Sequence, residues 1–140
     1  MRADVSDFLA PWAEGAVLPP DDADLFDVLG IDGDDAFEFI DAFAGRFSID
    51  VSSYRWYFHH GEEGFGPGGL LFRSPDRRVK RIPISVEVLS EAVRTGRWPI
   101  DYPPHSLPKV RWDIRLNQAF GLLILASVVL WAWYGLVARG

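Results

Sequence analysis

The 140-residue sequence contains no cysteine. Disulfide bonds, thiolate metal sites and thiol nucleophiles are therefore excluded. Basic residues are scarce in the first part of the chain, where residues 1–60 carry three basic and thirteen acidic side chains. A protein that binds nucleic acid needs a basic footprint, so this charge distribution argues against nucleic acid as a partner. Residues 61–140 carry eleven basic and seven acidic side chains, and the whole chain has a net charge of −6.

Charge is also absent from the 23 residues between Arg115 and Arg139, of which 18 are apolar. A helix of about 20 residues spans the hydrocarbon core of a bilayer, which is roughly 30 Å thick. A domain of this size has no core large enough to surround such a helix. The pattern therefore predicts one transmembrane helix over residues 116–138. The side chains expected to anchor it in the bilayer are Phe120, Leu123, Leu130, Trp131, Trp133 and Tyr134.

Three basic residues, Lys109, Arg111 and Arg115, lie just before this apolar run. Basic flanks stay on the cytoplasmic side of a membrane, so we expect the N-terminal domain in the cytoplasm and the C-terminus outside. The first residues, MRADVSDFLAPW, lack the charged and then apolar form of a signal peptide. The sequence predicts a tail-anchored, single-pass protein of the inner (cytoplasmic) membrane.

The rest of the chain has the apolar spacing of short helices. The clearest pattern covers residues 34–47, in which Phe37, Ile40, Phe43 and Phe47 are expected on the buried face. Further helices are predicted over residues 5–14, 24–29 and 86–95, and a helix or turn over residues 51–58. The helix over residues 86–95 has Ser85 as its expected N-terminal cap and Gly96 as its expected end.

Other segments are rich in glycine or proline. Five glycines within residues 61–69 predict a flexible loop. Residues 70–72 and 79–84 flank a Ser-Pro-Asp turn, which predicts a short β-hairpin. Four prolines within residues 99–108 predict a stiff, extended spacer. The predicted fold is mainly α, with a small helical domain over residues 1–98, a proline-rich juxtamembrane spacer over residues 99–115 and the transmembrane helix.

The stretch from Leu29 to Phe47, LGIDGDDAFEFIDAFAGRF, resembles the central part of acyl carrier proteins. In that family a Leu-Gly pair precedes an Asp-Ser-Leu motif, and an acidic amphipathic helix follows. In an ungapped comparison, Asp32 falls on the family's aspartate and Gly33 falls on the serine that carries phosphopantetheine. The resemblance implies an acyl-carrier-like helical core that lacks the hydroxyl group for its prosthetic group, and we expect no cofactor.

Two further stretches, residues 47–58 and 82–98, look like an uncharacterised bacterial family, domain of unknown function fourteen-ninety-three. The shared elements are a GDDA-like turn, an F-x-V/I-D element and a late G-x-W, which occur in this order here. The resemblance covers about residues 5–98. It implies no established activity.

The acidic face of the helix over residues 34–47 leads to the main functional hypothesis. A non-enzymatic, membrane-tethered interaction module would use these carboxylates to dock a protein partner that carries a basic patch. The same carboxylates lack the glycine and glutamate spacing of an EF-hand calcium loop. The residues expected to dock the partner are Asp32, Asp34, Asp35, Glu38 and Asp41.

Two alternatives come from other functional classes. One is an acyl or aminoacyl carrier that is modified at a residue other than the serine position. The other is a metal-dependent enzyme centred on His59, His60, Glu62 and Glu63, although adjacent histidines point in different directions on a helix or strand. We predict no catalytic residue and no metal ligand.

Overall fold

The computed structural model describes residues 2–13, 15, 20–62 and 66–138. The chain divides into two compact units. The first unit consists of residues 1–63 and 75–106, and the second consists of residues 64–74 and 107–140. The described ranges contain helices but no strand, apart from an isolated parallel bridge between Asp50 and Arg97. The prediction of a mainly α fold is confirmed.

The connections between successive helices differ widely in length. In chain order, those in the described residues are α1 (Arg2–Leu9), α2 (Leu25–Leu29), α3 (Gly33–Phe47), α4 (Pro67–Leu71), α5 (Val86–Thr95) and α6 (Trp112–Val137), with 3₁₀ helices at Trp56–Phe58 and Pro75–Arg78. Helices α4 and α6 belong to the second unit, and the others belong to the first.

Local capping chemistry determines several helix ends in the first unit. The Ser85 side chain accepts a hydrogen bond from the backbone N–H of Val88 at the start of α5. Gly96 ends α5 with a φ of 70°, in the left-handed region that favours glycine. Helix α1 ends at Leu9, two residues before Pro11. Both predicted ends of α5 are confirmed.

Helix α3 provides much of the core, but its buried face differs from the predicted one. The buried face includes Ala36, Phe39, Ile40 and Phe43. Phe37 is 42% exposed, so its predicted burial is wrong. The ring of Phe39 instead packs edge-on against aromatic rings from α1 and α2. The face of α3 that is buried is therefore centred on Phe39 and not on Phe37.

The predicted β-hairpin over residues 70–84 is wrong. Pro67–Leu71 forms α4, and Pro75–Arg78 forms a 3₁₀ helix. The apolar run of residues 70–72 is too short for its periodicity to distinguish a strand from a helical turn. Pro67 occupies the first position of α4, where proline favours a helix. Part of the predicted flexible loop is thus helical, and its residues 63–65 lie outside the described residues.

The first half of the proline-rich segment is in contact with the rest of the first unit. The Tyr57 hydroxyl oxygen is 2.7 Å from Nε2 of His105. Tyr102 packs against Phe58, with 4.8 Å between the ring centroids. Residues 99–106 are therefore part of the first unit and do not extend away from it.

Helix α6 is long and apolar enough to cross a membrane. Its 26 residues include a window with a mean hydropathy of 2.1, and no part of that window is buried. It begins four residues before the predicted start, because residues 112–115 continue the same helix. The predicted anchoring residues are all exposed along it: Phe120, Leu123, Leu130, Trp131, Trp133 and Tyr134.

Candidate functional site

Four carboxylates of α3 form an exposed acidic surface, which comprises Asp34, Asp35, Glu38 and Asp41. The spacing from residue 34 to 38 and then to 41 places three of them on one helix face, over about 10 Å of axis. Among the described residues, no lysine or arginine side chain lies within ion-pair distance of these four. The acidic surface is therefore not neutralised by the described part of the chain.

Asp32 has a different environment from the four residues of the acidic surface. Its Oδ1 atom accepts a hydrogen bond from the backbone N–H of Gly61 at 2.6 Å, and its side chain does not cap α3. Asp32 therefore joins the start of α3 to the loop that follows His60. Its docking role stays a prediction, whereas its contact with Gly61 gives it a structural role.

His59 is buried, and both of its ring nitrogens form hydrogen bonds. Nδ1 lies 2.8 Å from the Ile82 carbonyl oxygen, and Nε2 lies 2.7 Å from the Tyr102 hydroxyl. Because a carbonyl oxygen only accepts, Nδ1 carries the proton and Nε2 accepts the Tyr102 O–H. Burial lowers the pKa of His59 from 6.5 to about 4, so the ring is neutral at neutral pH.

The Tyr102 hydroxyl connects the proline-rich segment to the interior of the first unit. It accepts hydrogen bonds from Nε1 of Trp98 at 2.8 Å and from the backbone N–H of Arg55 at 3.1 Å, and it donates to His59. Sequence reasoning missed Tyr102 as a partner of His59. No local pattern links the two residues, because they are 43 positions apart.

His60 lines a cleft of about 270 Å³ together with Asp32, Asp76 and Arg81. Its Nδ1–H donates to the Gly61 carbonyl oxygen at 2.9 Å, which leaves Nε2 as an acceptor. Nε2 of His60 and Oδ1 of Asp76 are buried and have no hydrogen-bond partner among the described residues. Burial also lowers the pKa of His60. The residues that line the cleft thus include two with a buried acceptor atom, beside the cationic side chain of Arg81.

The alternative of a metal-dependent enzyme gains no support from this geometry. Within the described ranges, no three histidine or acidic side chains are grouped so that they could hold a metal ion. Both ring nitrogens of His59 already form hydrogen bonds, so binding of a metal ion to His59 would require one of those hydrogen bonds to break. Glu63, which the sequence pattern includes in this site, lies outside the described residues.

Gly33 stands at the position that the acyl-carrier resemblance assigns to serine. It is the first residue of α3, it is buried and its φ is 51°. An L side chain rarely adopts this backbone conformation. The structure therefore gives a backbone reason for glycine at this position and does not favour a modified serine there.

Comparison with known protein families assigns the chain to one of them. A family model described as protein of unknown function (DUF1493) matches residues 6–101. The chain belongs to the DUF1493 family. The matched DUF1493 region includes the acidic surface, His59 and the His60 cleft, whereas α6 lies outside it. No curated protein and no solved structure matches this DUF1493 chain.

Proposed function

We propose that this DUF1493 protein is a membrane-tethered, non-enzymatic protein-interaction module. In this proposal α6 anchors the chain, and the acidic surface binds a basic patch on a protein partner. The observation that carries the proposal is the set of four exposed carboxylates on α3, which no basic side chain of the described residues neutralises. A helix face that serves only for solubility usually mixes both signs of charge, and residues 34–45 contain no basic side chain.

The charge of the chain indicates the chemistry of the partner. Residues 1–60 carry a net charge of −10, from three basic and thirteen acidic side chains. A field of this sign accelerates the approach of a basic surface and repels acidic proteins and nucleic acids. Because the Debye length is about 10 Å at 0.1 M salt, binding of an exposed basic patch should weaken as salt is added.

Two further features support the proposed location and core. Lys109, Arg111 and Arg115 precede the apolar part of α6, which favours a cytoplasmic position for the first unit at the inner membrane. The resemblance of residues 29–47 to acyl carrier proteins supports an acyl-carrier-like core in which the acidic helix is kept and the prosthetic group is not.

The proposal can be tested by co-purification of the full chain from native membranes. We expect the triple variant Asp34→Lys, Glu38→Lys and Asp41→Lys to lose a partner that the wild type retains at low salt. The matched control is Asp27→Lys, Glu87→Lys and Asp101→Lys, which makes the same charge change at exposed acidic residues elsewhere in the first unit. This control should retain the partner.

A neutral variant separates lost binding from lost folding. Asp34→Asn, Glu38→Gln and Asp41→Asn should weaken the same interaction without placing lysines near the positive N-terminus of α3. Circular dichroism should show wild-type helix content in all three variants. If the acidic-surface variants and the control variant retain the partner equally, the proposal that the acidic surface docks the partner is wrong.

A further inference from the structure

The last two residues of α4 and the residue that follows it form an apolar ridge, which we define as Leu70, Leu71 and Phe72. The exposed fractions of these side chains are 78%, 72% and 39%, respectively. Leu70 and Leu71 thus leave most of their apolar area in water within the described structure, and Phe72 leaves part of its own. Contiguous exposed apolar surface of this kind usually marks an interaction.

Helix α4 is attached to the first two turns of α6. The backbone N–H of Gly68 donates to Oδ1 of Asn117 at 2.8 Å. A Cβ atom on Gly68 would collide with the backbone carbonyl oxygen of Asp113, and one on Gly66 would collide with the Asn117 side chain. Gly68 therefore permits a close approach of the two backbones that a larger residue would prevent, whereas a larger residue at position 66 would require the Asn117 side chain to move.

This attachment determines where the apolar ridge lies along α6. At about 1.5 Å per residue, Asp113 and Asn117 are about 9 Å and 3 Å along the axis from Ala119, where the apolar part begins. Surface-bound apolar segments insert about 5–10 Å into the boundary between headgroups and acyl chains. When the apolar part of α6 spans a bilayer, the ridge is at the level of that boundary.

Charge at the same end of α6 fits an anionic surface. The described part of the second unit contains four basic residues and one acidic residue, Asp113. Asp113 is paired with Arg111, with 2.6 Å between Oδ2 and the guanidinium nitrogen. Arg115 lies over the ring of Trp112, which is 53% exposed. Exposed tryptophan with excess basic charge is typical of contact with anionic headgroups.

We infer that the apolar ridge inserts into the interfacial layer of an anionic lipid bilayer, as a second membrane contact beside α6. The inference rests on the proposed anchoring by α6, and it adds a lipid-binding site within the second unit. A lipid surface is favoured as the occupant because α4 packs against the start of the apolar helix α6, and because the charge of the described part of the second unit is basic.

Because the chain has no cysteine, single fluorescent labels can be introduced without background. We would reconstitute full-length Leu71→Cys, Leu130→Cys and Val28→Cys, each labelled with bimane, in vesicles of phosphatidylcholine and phosphatidylglycerol. Nitroxide lipids would quench either near the headgroup or deep in the acyl chains. Leu130 reports on anchoring by α6, and Val28 is the control because it is 55% exposed in the first unit.

We expect deep nitroxides to quench the label at residue 130 and shallow nitroxides to quench the label at residue 71. The label at residue 28 should not be quenched. Quenching at residue 130 with none at residue 71 would overturn the lipid contact of the ridge and leave the anchor intact. Absence of quenching at residue 130 would overturn the anchor and, with it, this inference.

A second variant tests whether the packing of α4 on α6 positions the ridge. Gly68→Ala places a methyl group against the Asp113 carbonyl oxygen and should displace α4. Combined with Leu71→Cys, it should reduce shallow quenching at residue 71. Combined with Leu130→Cys, it should leave deep quenching unchanged. Unaltered quenching at residue 71 would overturn the positioning role of this packing.

Discussion

His59 and His60 are adjacent in the chain, but their chemical environments differ. His59 has both ring nitrogens bonded and stacks on Tyr54, with 5.1 Å between the ring centroids. The His60 ring packs nearly perpendicular to the Phe37 ring, and its buried Nε2 has no hydrogen-bond partner among the described residues. At the scale of single residues, His59 therefore stabilises the first unit in its neutral form, whereas His60 keeps a buried acceptor atom that no described residue satisfies.

The neutral state of His59 predicts a loss of stability in acid. Its pKa is about 4 in the folded state and near 6.5 when unfolded, so the unfolded state binds more protons between these values. The free energy of unfolding should therefore fall as the pH decreases from about 7 to 4. The difference in pKa corresponds to about 3 kcal/mol. Urea unfolding in detergent at several pH values measures this change.

The control for this prediction is His59→Gln, in which the group that takes up the proton is removed. This variant should be less stable than the wild type near neutral pH, and its stability should depend less on pH. Burial also lowers the pKa of His60, so part of the pH dependence should remain. An NMR titration of His59 in the folded protein with a midpoint near 6.5 would contradict the prediction.

At the scale of secondary-structure elements, α3 contributes both to the core and to the acidic surface. Ala36, Phe39, Ile40 and Phe43 face the core, and the carboxylates face solvent. Phe37 lies between these two faces and packs on His60, with 4.8 Å between the ring centroids. The rotation of α3 about its axis therefore determines which phenylalanine stabilises the core and which one borders the His60 cleft.

This rotation predicts unequal costs for two neighbouring substitutions. Phe39 is 0% exposed, so Phe39→Ala should lower the free energy of unfolding by about 3–5 kcal/mol. Phe37→Ala removes a ring that is already 42% exposed, and its cost should be less than half as large. Chemical denaturation of both variants under the same conditions measures the difference. Equal costs would be inconsistent with the observed rotation of α3.

At the scale of the whole molecule, the chain combines a DUF1493 domain with one long apolar helix. The family match ends at residue 101, and α6 begins at Trp112. Asp113 is the single acidic residue in α6, whereas four basic residues accompany it in the described part of the second unit. This asymmetry is the physical basis for the proposed orientation, because basic flanks are retained on the cytoplasmic side.

The orientation predicts opposite results for two reporter fusions. An alkaline phosphatase fused after Gly140 should be active, because this enzyme needs an oxidising compartment outside the cytoplasm to form its disulfides. The control is a fusion after Ser106, before α6. At this position alkaline phosphatase should be inactive, and a reporter that works only in the cytoplasm should be active. Activity of a cytoplasmic reporter after Gly140 would contradict the proposed topology.

Features that depend on neighbouring residues could be predicted from the sequence alone. The uncharged run of α6, the N-terminal cap and glycine end of α5 and the acidic face of α3 all follow from local spacing. The three motifs in order were also sufficient to indicate the family. These signals are local because helix caps and helix periodicity involve residues only a few positions apart.

Only the tertiary structure decided the contacts between distant segments. His59 and Tyr102 are 43 residues apart, and Gly68 and Asn117 are 49 residues apart, yet each pair forms a hydrogen bond. The same holds for the rotation of α3, which depends on rings supplied by α1 and α2. Periodicity within one helix defines an apolar arc but not its centre, because the centre is determined by the surfaces that pack against it.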